Sequence, residues 1–230
     1  MTKNPSGAIS VFVKTPGLSP IKTRLAEAIG QETAESFHLF ASQCVESVIG
    51  EVLKVKSNIS PYWAIAEKSG LSFPAWSRFE HIYQGEGDLG ERLSFIYDEL
   101  LKKHSFVIFL GADSPQILPD ILIQAVESLN SSDFVIGPAE DGGFYLFAGK
   151  RPISKQMWLN VPYSSDKTFE ILFDNLHQYG RVHELSTLLD IDTFSDLKKF
   201  STQDHREDDF TIKQKALLDW TRSLILKRGV

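Results

Sequence analysis

The spacing of hydrophobic residues along this 230-residue chain changes many times, and each change marks the start of a predicted strand or helix. The most informative stretch is residues 106–115, FVIFLGADSP, where a continuous apolar run stops at Gly111. Its β-branched and aromatic residues predict a strand buried on both faces, as in a parallel sheet covered by helices. Asp113 would then lie just beyond the C-terminal end of that strand, where open α/β sheets bind ligands. The alternative is that Asp113 only caps a loop.

Strand-like and helix-like segments alternate along the whole chain. Besides the central run, strands or extended segments are predicted at residues 8–13, 62–66, 81–83, 133–136, 144–147 and 181–188. Helices are predicted at residues 20–29, 32–49, 88–103, 119–129, 165–178, from 195 onwards, and at 209–226. This alternation predicts an α/β fold with a mostly parallel, doubly wound sheet flanked by helices, in a single domain spanning residues 1–230.

The first predicted helix contains a local electrostatic conflict. Ser19 is its predicted N-cap and Pro20 its first residue, which puts Lys22 and Arg24 near the positive end of the helix dipole. An anion would resolve this conflict, and Lys14 at the end of the preceding strand adds a third positive charge. A strand, a loop and a helix N-terminus with cations form a phosphate-binding arrangement. The alternative is that Lys22 and Arg24 pair with acids across the surface.

A phosphate near Asp113 would be repelled by about 4 kcal/mol at 4 Å and an effective dielectric constant of 20. Mg²⁺, or Mn²⁺ in its place, would remove this repulsion, because Mg²⁺ commonly binds one or two protein carboxylates together with phosphates. The segment LLDIDTFSDL offers a second carboxylate, since Asp190 and Asp192 are two positions apart and point the same way on an extended chain. The alternative for this pair is a turn that leads into a helix capped by Thr193 or Ser195.

Composition excludes several function classes. The net charge of −6 argues against a nucleic-acid-binding surface. No apolar run approaches the length of a membrane span and the N-terminal residues lack the apolar region of a signal peptide, so we expect a cytoplasmic protein. Cys44 is the only cysteine, and the six histidines have no metal-ligand spacing. The apolar stripe of the tail helix, residues 209–226, is more typical of packing, although it leaves a homodimer open.

Five motifs occur in an order that resembles one known family. They are FVKTPGLSPIKTRLAEAIG (12–30), QGEGDLGERL (84–93), FLGADSP (109–115), GPAEDGGFYLFAGK (137–150) and LLDIDTFSDL (188–197). Together they resemble the bacterial radical-SAM/selenodomain-associated transferase 1 family, which is similar to the 2-phospholactate guanylyltransferase and molybdenum-cofactor nucleotidyltransferase group. The resemblance implies a nucleotide-diphosphosugar-transferase (GT-A) fold with one nucleotide site at the C-terminal edge of a Rossmann-like sheet.

The resemblance also implies roles for individual residues. Lys14, Lys22, Thr23 and Arg24 would form the phosphate-binding loop. Other implied sites are a nucleotide pocket with Gly87 and Asp88, a metal site with Asp113 and Asp192, and an acceptor-side loop with Asp141, Gly142 and Gly143. Two alternatives stay open, because an Asp-Gly-Gly sequence also predicts a hairpin turn and because Asp88 with Glu91 also fits a helix capping box. The family pattern departs at Tyr163-Ser164, where a Trp-Ser pair is common, which affects the acceptor side.

Two transfers suit such a site. In nucleotidyl transfer, Lys22 and Arg24 hold the triphosphate of a nucleoside triphosphate and a small phosphorylated or hydroxyl acceptor attacks the α-phosphorus. In glycosyl transfer, the donor is a nucleotide sugar and Asp141 is a candidate base for an acceptor hydroxyl. The number of cations in the loop favours nucleotidyl transfer. A nucleotide-binding module without catalysis is a third hypothesis.

Overall fold

A computed structural model describes residues 6–203 and 205–228. Residues 1–5, half of the N-terminal stretch that we interpreted as lacking a signal peptide, lie outside the described part of the chain, as do residues 204, 229 and 230. The strands of the described part are β1 (Gly7–Val13), β2 (Ile59–Ile65), β3 (Glu80–Tyr83), β4 (Phe106–Gly111), β5 (Phe134–Pro138), β6 (Phe144–Gly149) and β7 (Val182–Glu184).

The α-helices of the described part include all those predicted and one more. They are α1 (Thr23–Ile29), α2 (Gln31–Val55), α3 (Leu89–Leu101), α4 (Pro119–Ser128), α5 (Lys155–Leu159), α6 (Thr168–Leu176), α7 (Phe194–Thr202) and α8 (Ile212–Lys227). Short 3₁₀ helices at Lys68–Ser72 and Pro74–Trp76, and α5, are elements that the periodicity did not predict. They are too short to show a helical period in the sequence.

The strands form one seven-stranded sheet in the order β3-β2-β1-β4-β6-β5-β7. β1 pairs in parallel with β2 and β4, whereas β6 runs antiparallel to both β4 and β5. The prediction of a mostly parallel sheet flanked by helices is therefore confirmed, with β6 as the antiparallel strand. That residues 1–230 form a single domain stays a prediction.

The central strand β4 has helices on both sides, as its continuous apolar sequence requires. Ile108 and Leu110 pack into one core with residues of α2 and α4. Val107 and Phe109 point the other way, into a second core with residues of α3, α5 and α6. A third apolar cluster joins α1, α2, α7 and α8, where the Trp220 ring stacks on Phe37 at 6.3 Å.

Four helix predictions were wrong in detail. The first helix begins at Thr23 and not at Pro20. The second helix continues to Val55 and does not end at residue 49. The helix predicted from residue 165 begins at Thr168, because the preceding residues form a loop. The tail helix begins at Ile212, after a 3₁₀ turn at Glu207–Asp209.

Candidate active site

The site lies at the C-terminal edge of the sheet, between β1 and β4. The chain passes from β1 outward to β2 and β3, and then returns to place β4 on the opposite side of β1. Such a change of direction is where open α/β sheets form their ligand-binding crevice. Lys14 directly follows β1 and Asp113 follows β4, so the parallel pairing brings both to the same edge.

The loop between β1 and α1 has a backbone that the sequence did not predict. Lys22 is the N-cap residue of α1 and has left-handed backbone dihedral angles, φ 47° and ψ 46°. This conformation is uncommon for residues with a Cβ atom and clusters at functional sites. Lys22 therefore lies just before the helix and not in its first turn, and its side chain leaves the helix axis towards the acids.

The Lys22 ammonium group lies among the predicted metal ligands. Its Nζ atom is 2.7 Å from Asp113 Oδ1 and 2.7 Å from Asp192 Oδ1, and it donates a hydrogen bond to the Ile191 carbonyl oxygen at 2.5 Å. The side chain is only 3% exposed. Arg24 pairs with the other oxygen of Asp192 at 2.5 Å, from an exposed position. The predicted cations and acids therefore lie close together. The alternative prediction, that Lys22 and Arg24 form ion pairs with acids, also fits these contacts.

The segment that carries Asp190 and Asp192 is fixed against the end of β4 by three hydrogen bonds. The Ile191 amide donates to the Asp113 carbonyl oxygen at 3.0 Å. The side chains of Ser114 and Gln116 donate to the Asp190 carboxylate at 3.3 Å and to the Leu189 carbonyl oxygen at 2.6 Å. Thr193 then caps α7 in a capping box with Asp196, as the turn alternative predicted. The turn and the acidic site therefore coexist.

Burial and neighbouring charges shift the pKa values of this cluster in different directions. Burial alone would lower the pKa of Lys22, but the carboxylates of Asp113, Asp190 and Asp192 raise it well above its usual value. Burial and the adjacent Asp113 carboxylate raise the pKa of Asp190 to about 8, although Lys22 opposes this shift. Burial also opposes ionisation of Asp192, but Lys22 and Arg24 lower its pKa below the usual value.

The three carboxylates fit a divalent metal ion. One oxygen each of Asp113, Asp190 and Asp192 lie within 4.8 Å of one another. Carboxylate oxygens are the ligands that Mg²⁺ and Mn²⁺ prefer in proteins. The Lys22 ammonium group already lies among these oxygens as a cation, so the cluster has the charge and the spacing to hold one.

Two cavities meet at Asp113 and Asp192. The first cavity, about 660 Å³, is lined by every predicted residue of the phosphate-binding loop, and also by Arg92. These predicted residues are Lys14, Lys22, Thr23 and Arg24. The second cavity, about 740 Å³, lies on the β6 side and is lined by Asp141, Gly143 and Asp190.

The remaining predicted site residues have mainly structural contacts. Gly87 and Asp88 are not among the residues that line either cavity. Asp88 instead caps α3 in a capping box with Glu91. Gly142 has φ 87° in the turn between β5 and β6, so the hairpin alternative describes this loop correctly.

The structure also adds residues that the sequence analysis did not assign. Arg92 lines the first cavity, one helical turn after the N-cap of α3. Its position in the first turns of that helix was the only feature of the sequence that could have indicated this role. His38 lies 3.0 Å from the Lys14 carbonyl oxygen and fixes the end of β1, with burial lowering its pKa. Tyr163 lines the second cavity. In the sequence, the only indication of this role was that Tyr163 stands where the resembling family commonly has Trp.

Comparisons with known proteins agree with this architecture. A family model described as "Uncharacterized protein conserved in bacteria (DUF2064)" matches residues 59–165, somewhat under half of the chain. No curated protein matches the sequence. The resemblance to the radical-SAM-associated family stays a prediction.

Solved structures match over most of the chain. A Desulfovibrio desulfuricans G20 protein, provisionally assigned as a nucleotide-diphospho-sugar transferase, matches with a TM-score of 0.80 at 22% identity, covering 96% of this chain and 97% of its own. CMP:2-keto-3-deoxy-manno-octonic acid synthetase in complex with CTP matches with a TM-score of 0.52 at 14% identity, covering 84% of this chain and 96% of its own. A Mycobacterium tuberculosis H37Rv protein in complex with manganese matches with a TM-score of 0.51 at 14% identity, covering 85% and 97%.

These likenesses establish that the chain shares its fold with the Desulfovibrio desulfuricans G20 protein and with CMP:2-keto-3-deoxy-manno-octonic acid synthetase. In the described part of the chain, no helix combines the length and hydrophobicity that crossing a bilayer would need.

Proposed function

We propose that the protein is a metal-dependent transferase that uses a nucleotide donor, and that it transfers a nucleotidyl group from a nucleoside triphosphate to a small acceptor. One observation carries the proposal: the Lys22 ammonium group lies 2.7 Å from both Asp113 and Asp192, at the point where the two cavities meet. Cations suited to binding phosphates and acids suited to binding a metal ion therefore share one crevice. The structures of similar fold that contain CTP and manganese support the same chemistry.

In this proposal the first cavity holds the polyphosphate. Lys14, Lys22 and Arg24 supply its positive charge, and Thr23 places a backbone amide at the start of α1. Arg92 adds a fourth cation to the lining of this cavity. A triphosphate carries more negative charge than the diphosphate of a nucleotide sugar, so this number of cations favours nucleotidyl transfer.

Asp113 and Asp192, with Asp190, would hold the metal ion. When bound, Mg²⁺ or Mn²⁺ would neutralise phosphate charge and align the donor. Lys22 would then exchange its carboxylate partners for phosphate oxygens. The Ile191 amide, which lies between Asp190 and Asp192, donates a hydrogen bond to the Asp113 carbonyl oxygen. This bond fixes Asp192 relative to Asp113.

The transfer step forms one bond and breaks one. An acceptor oxygen attacks the α-phosphorus, and the bond from that phosphorus to the bridging oxygen of the β-phosphate breaks, so that pyrophosphate leaves. Where the acceptor is a hydroxyl group, its proton passes to a carboxylate. Asp141 lines the second cavity and is the candidate base.

Glycosyl transfer from a nucleotide sugar is a second candidate, which the size of the second cavity favours. A volume of about 740 Å³ beside the carboxylates could hold both a donor sugar and an acceptor. The acceptor hydroxyl would then attack the anomeric carbon, its proton would pass to Asp141, and a nucleoside diphosphate would leave.

The products released distinguish the two reactions. Purified protein should be incubated with Mg²⁺ and, in parallel, with each nucleoside triphosphate or nucleotide sugar together with a panel of acceptors. Pyrophosphate release is the expected result, and release of a nucleoside diphosphate from a nucleotide sugar would favour the second candidate. If neither product forms and the donors bind equally well without metal, a non-catalytic nucleotide-binding module would replace both proposals.

A further inference from the structure

We infer that the second cavity binds an unphosphorylated acceptor, neutral or cationic, that presents a hydroxyl group to the carboxylates and an apolar face to an aromatic wall. The inference rests on the proposed function, since it assigns the partner of the nucleotide donor. It narrows the acceptor class, which the sequence analysis left as phosphorylated or hydroxyl.

The charges that line the second cavity oppose an acceptor phosphate. Five aspartates line it, at positions 113, 141, 166, 190 and 192, whereas Arg24 is its one lining cation. Arg24 already pairs with Asp192 at 2.5 Å. Asp141 and Asp166 have no ion-pair partner within residues 6–203 and 205–228. Lys22 and Arg24 compensate Asp113 and Asp192, and a divalent ion would offset the charge of Asp190 as well, so the negative charge that remains in the cavity comes from Asp141 and Asp166.

The two cavities therefore differ in charge. Lys14, Lys22 and Arg92 line the first cavity and are absent from the lining of the second. Phosphate binding requires cations or clustered amide donors, so phosphate groups belong to the first cavity. A neutral or cationic molecule can enter the second without repulsion.

An aromatic wall completes the second cavity. Phe12 and Phe109 pack edge to face with ring centroids 5.0 Å apart, and Phe144 on β6 continues the wall on the same face of the sheet. Small-molecule sites are typically apolar surfaces with a few placed polar groups. The wall suits the carbon face of a sugar, a polyol or an aryl compound.

Tyr163 supplies an unused polar group. Its hydroxyl is buried without a hydrogen-bond partner, although the residue lines the second cavity. Buried polar groups are almost always paired, so an unpaired hydroxyl on a residue that lines a cavity is a candidate partner for a ligand. Burial and the charge of Asp88 raise the pKa of Tyr163, so its hydroxyl keeps its proton and can donate it to a ligand oxygen.

Asp141 is oriented for a hydroxyl acceptor. One of its oxygens accepts a hydrogen bond from the Gly143 amide at 2.9 Å, which fixes the carboxylate. The acceptor hydroxyl would lose its proton to Asp141 as its oxygen bonds to the α-phosphorus, and pyrophosphate would leave with the electron pair of the broken bond. In the glycosyl reaction the same oxygen would bond to the anomeric carbon, and the nucleoside diphosphate would leave.

Matched acceptor pairs test this inference. With Mg²⁺ and the donor, turnover should be measured for glycerol against glycerol 3-phosphate, glucose against glucose 6-phosphate, and choline against phosphocholine. We expect kcat/KM to be at least about tenfold higher for the unphosphorylated member of at least one pair. A preference for the phosphorylated member, or turnover of neither member of any pair, would overturn the inference.

Donor binding is measured separately by calorimetry, so the two proposals can fail independently. If no donor shows metal-dependent binding, the proposed function fails. If the donor binds with metal but phosphorylated acceptors are preferred, only the acceptor class is wrong.

A variant pair adds a second readout. Tyr163→Phe removes an unpaired buried hydroxyl, so the Tm of the free protein should stay the same or rise while the acceptor KM rises several-fold. Tyr97→Phe is the matched control, because the Tyr97 hydroxyl donates to the Arg151 carbonyl oxygen at 2.7 Å, outside both cavities. It should lower Tm and leave the acceptor KM unchanged. A Tyr163→Phe variant with lower Tm and unchanged KM would contradict the role of Tyr163.

Discussion

At the scale of single residues, Lys22 has two groups of possible partners. Without a ligand, its buried ammonium group compensates Asp113 and Asp192. In the proposed complex it would turn to donor phosphates while a metal ion takes over the carboxylates. The left-handed backbone of Lys22 is consistent with a residue held in place by these charges, since the local sequence alone does not favour that conformation.

Removing the charge of Lys22 should therefore destabilise the metal-free protein. Lys22→Met leaves the partly exposed carboxylates of Asp113 and Asp192 without their buried counter-ion, so the loss should be about 1.5–3 kcal/mol, the range for hydrogen bonds to charged groups. The free energy of unfolding should be measured by denaturant titration in EDTA. Lys54→Met is the control, because Lys54 forms an exposed pair with Glu51 and should cost less than about 1 kcal/mol. Equal losses for the two variants would show that Lys22 is not the main counter-ion.

Asp190 gives the site a pH dependence. Its pKa of about 8 in the folded protein lies above the usual value of an aspartate, so between these values the folded state binds more protons than the unfolded state. The stability of the metal-free protein is then lost as pH rises through this window. Ionisation of Asp190 is unfavourable because the group is buried beside Asp113.

Asp190→Asn should remove this loss of stability. In EDTA, the Tm of the variant relative to the wild type should rise from pH 5 to pH 9, because the amide cannot ionise. Mg²⁺ should stabilise the wild type more than the variant at pH 9, since the variant lacks one carboxylate. A Tm difference that stays constant or falls with pH would contradict the assignment of this pKa.

At the scale of elements, the turn between β5 and β6 is packed against the loop before α6. A Cβ atom on Gly142 would lie 2.1 Å from the backbone oxygen of Asp166, and Gly142 has φ 87°. The Phe169 amide also donates to the Gly142 carbonyl oxygen at 2.8 Å. This contact joins the turn that carries Asp141 to the loop that carries Tyr163, and both residues line the second cavity.

Gly142→Ala should disturb both stability and transfer. The left-handed backbone costs about 1 kcal/mol for alanine, and overpacking against Asp166 adds about 1–3 kcal/mol. Gly17→Ala is the control, because Gly17 also has a positive φ, 78°, but open space around its Cβ position. Denaturant unfolding should show the larger loss for Gly142→Ala, which should also lower kcat/KM for the acceptor. Equal stability losses would mean that the packing against Asp166 is not important.

At the start of α1, the local sequence predicted the wrong helix boundary. Ser19 and Pro20 fit an N-cap and a first helical residue, which is why the sequence predicted a helix there. The structure instead buries Ile21 and directs Lys22 to Asp113 and Asp192, which are 91 and 170 positions away in the sequence. Long-range charge pairing outweighed helix propensity, which is a weak preference.

At the scale of the whole molecule, the sheet topology explains how distant motifs form one site. β1 and β4 are parallel neighbours, and three hydrogen bonds attach residues 189–191 to the end of β4. Residues near positions 22, 113 and 192 therefore meet although they belong to different motifs. The fold class and this convergence could be predicted, because the buried run of β4 and the cationic loop are strong local signals.

Other parts of the site could not be predicted from the sequence. Tyr163 and Asp166 come from an irregular loop with no periodicity, and Ser164 there has φ 62°. The Asp190 environment depends on burial by residues from several elements, which pattern analysis does not measure. For Asp88, the family resemblance implied a nucleotide pocket and the local sequence predicted a helix cap. The structure shows the capping contacts with Glu91.

Metal-dependent donor binding is tested most directly by calorimetric titration of the donor into wild-type protein and Asp113→Asn, each with Mg²⁺ and with EDTA. Asp113 joins the cationic loop to the carboxylate cluster, so Mg²⁺ should tighten donor binding to the wild type at least about tenfold, a gain of about 1.4 kcal/mol. Asp113→Asn should lose most of this gain. Donor affinity that is the same in Mg²⁺ and EDTA, or the same gain in both proteins, would show that Asp113 does not hold a metal ion for the donor.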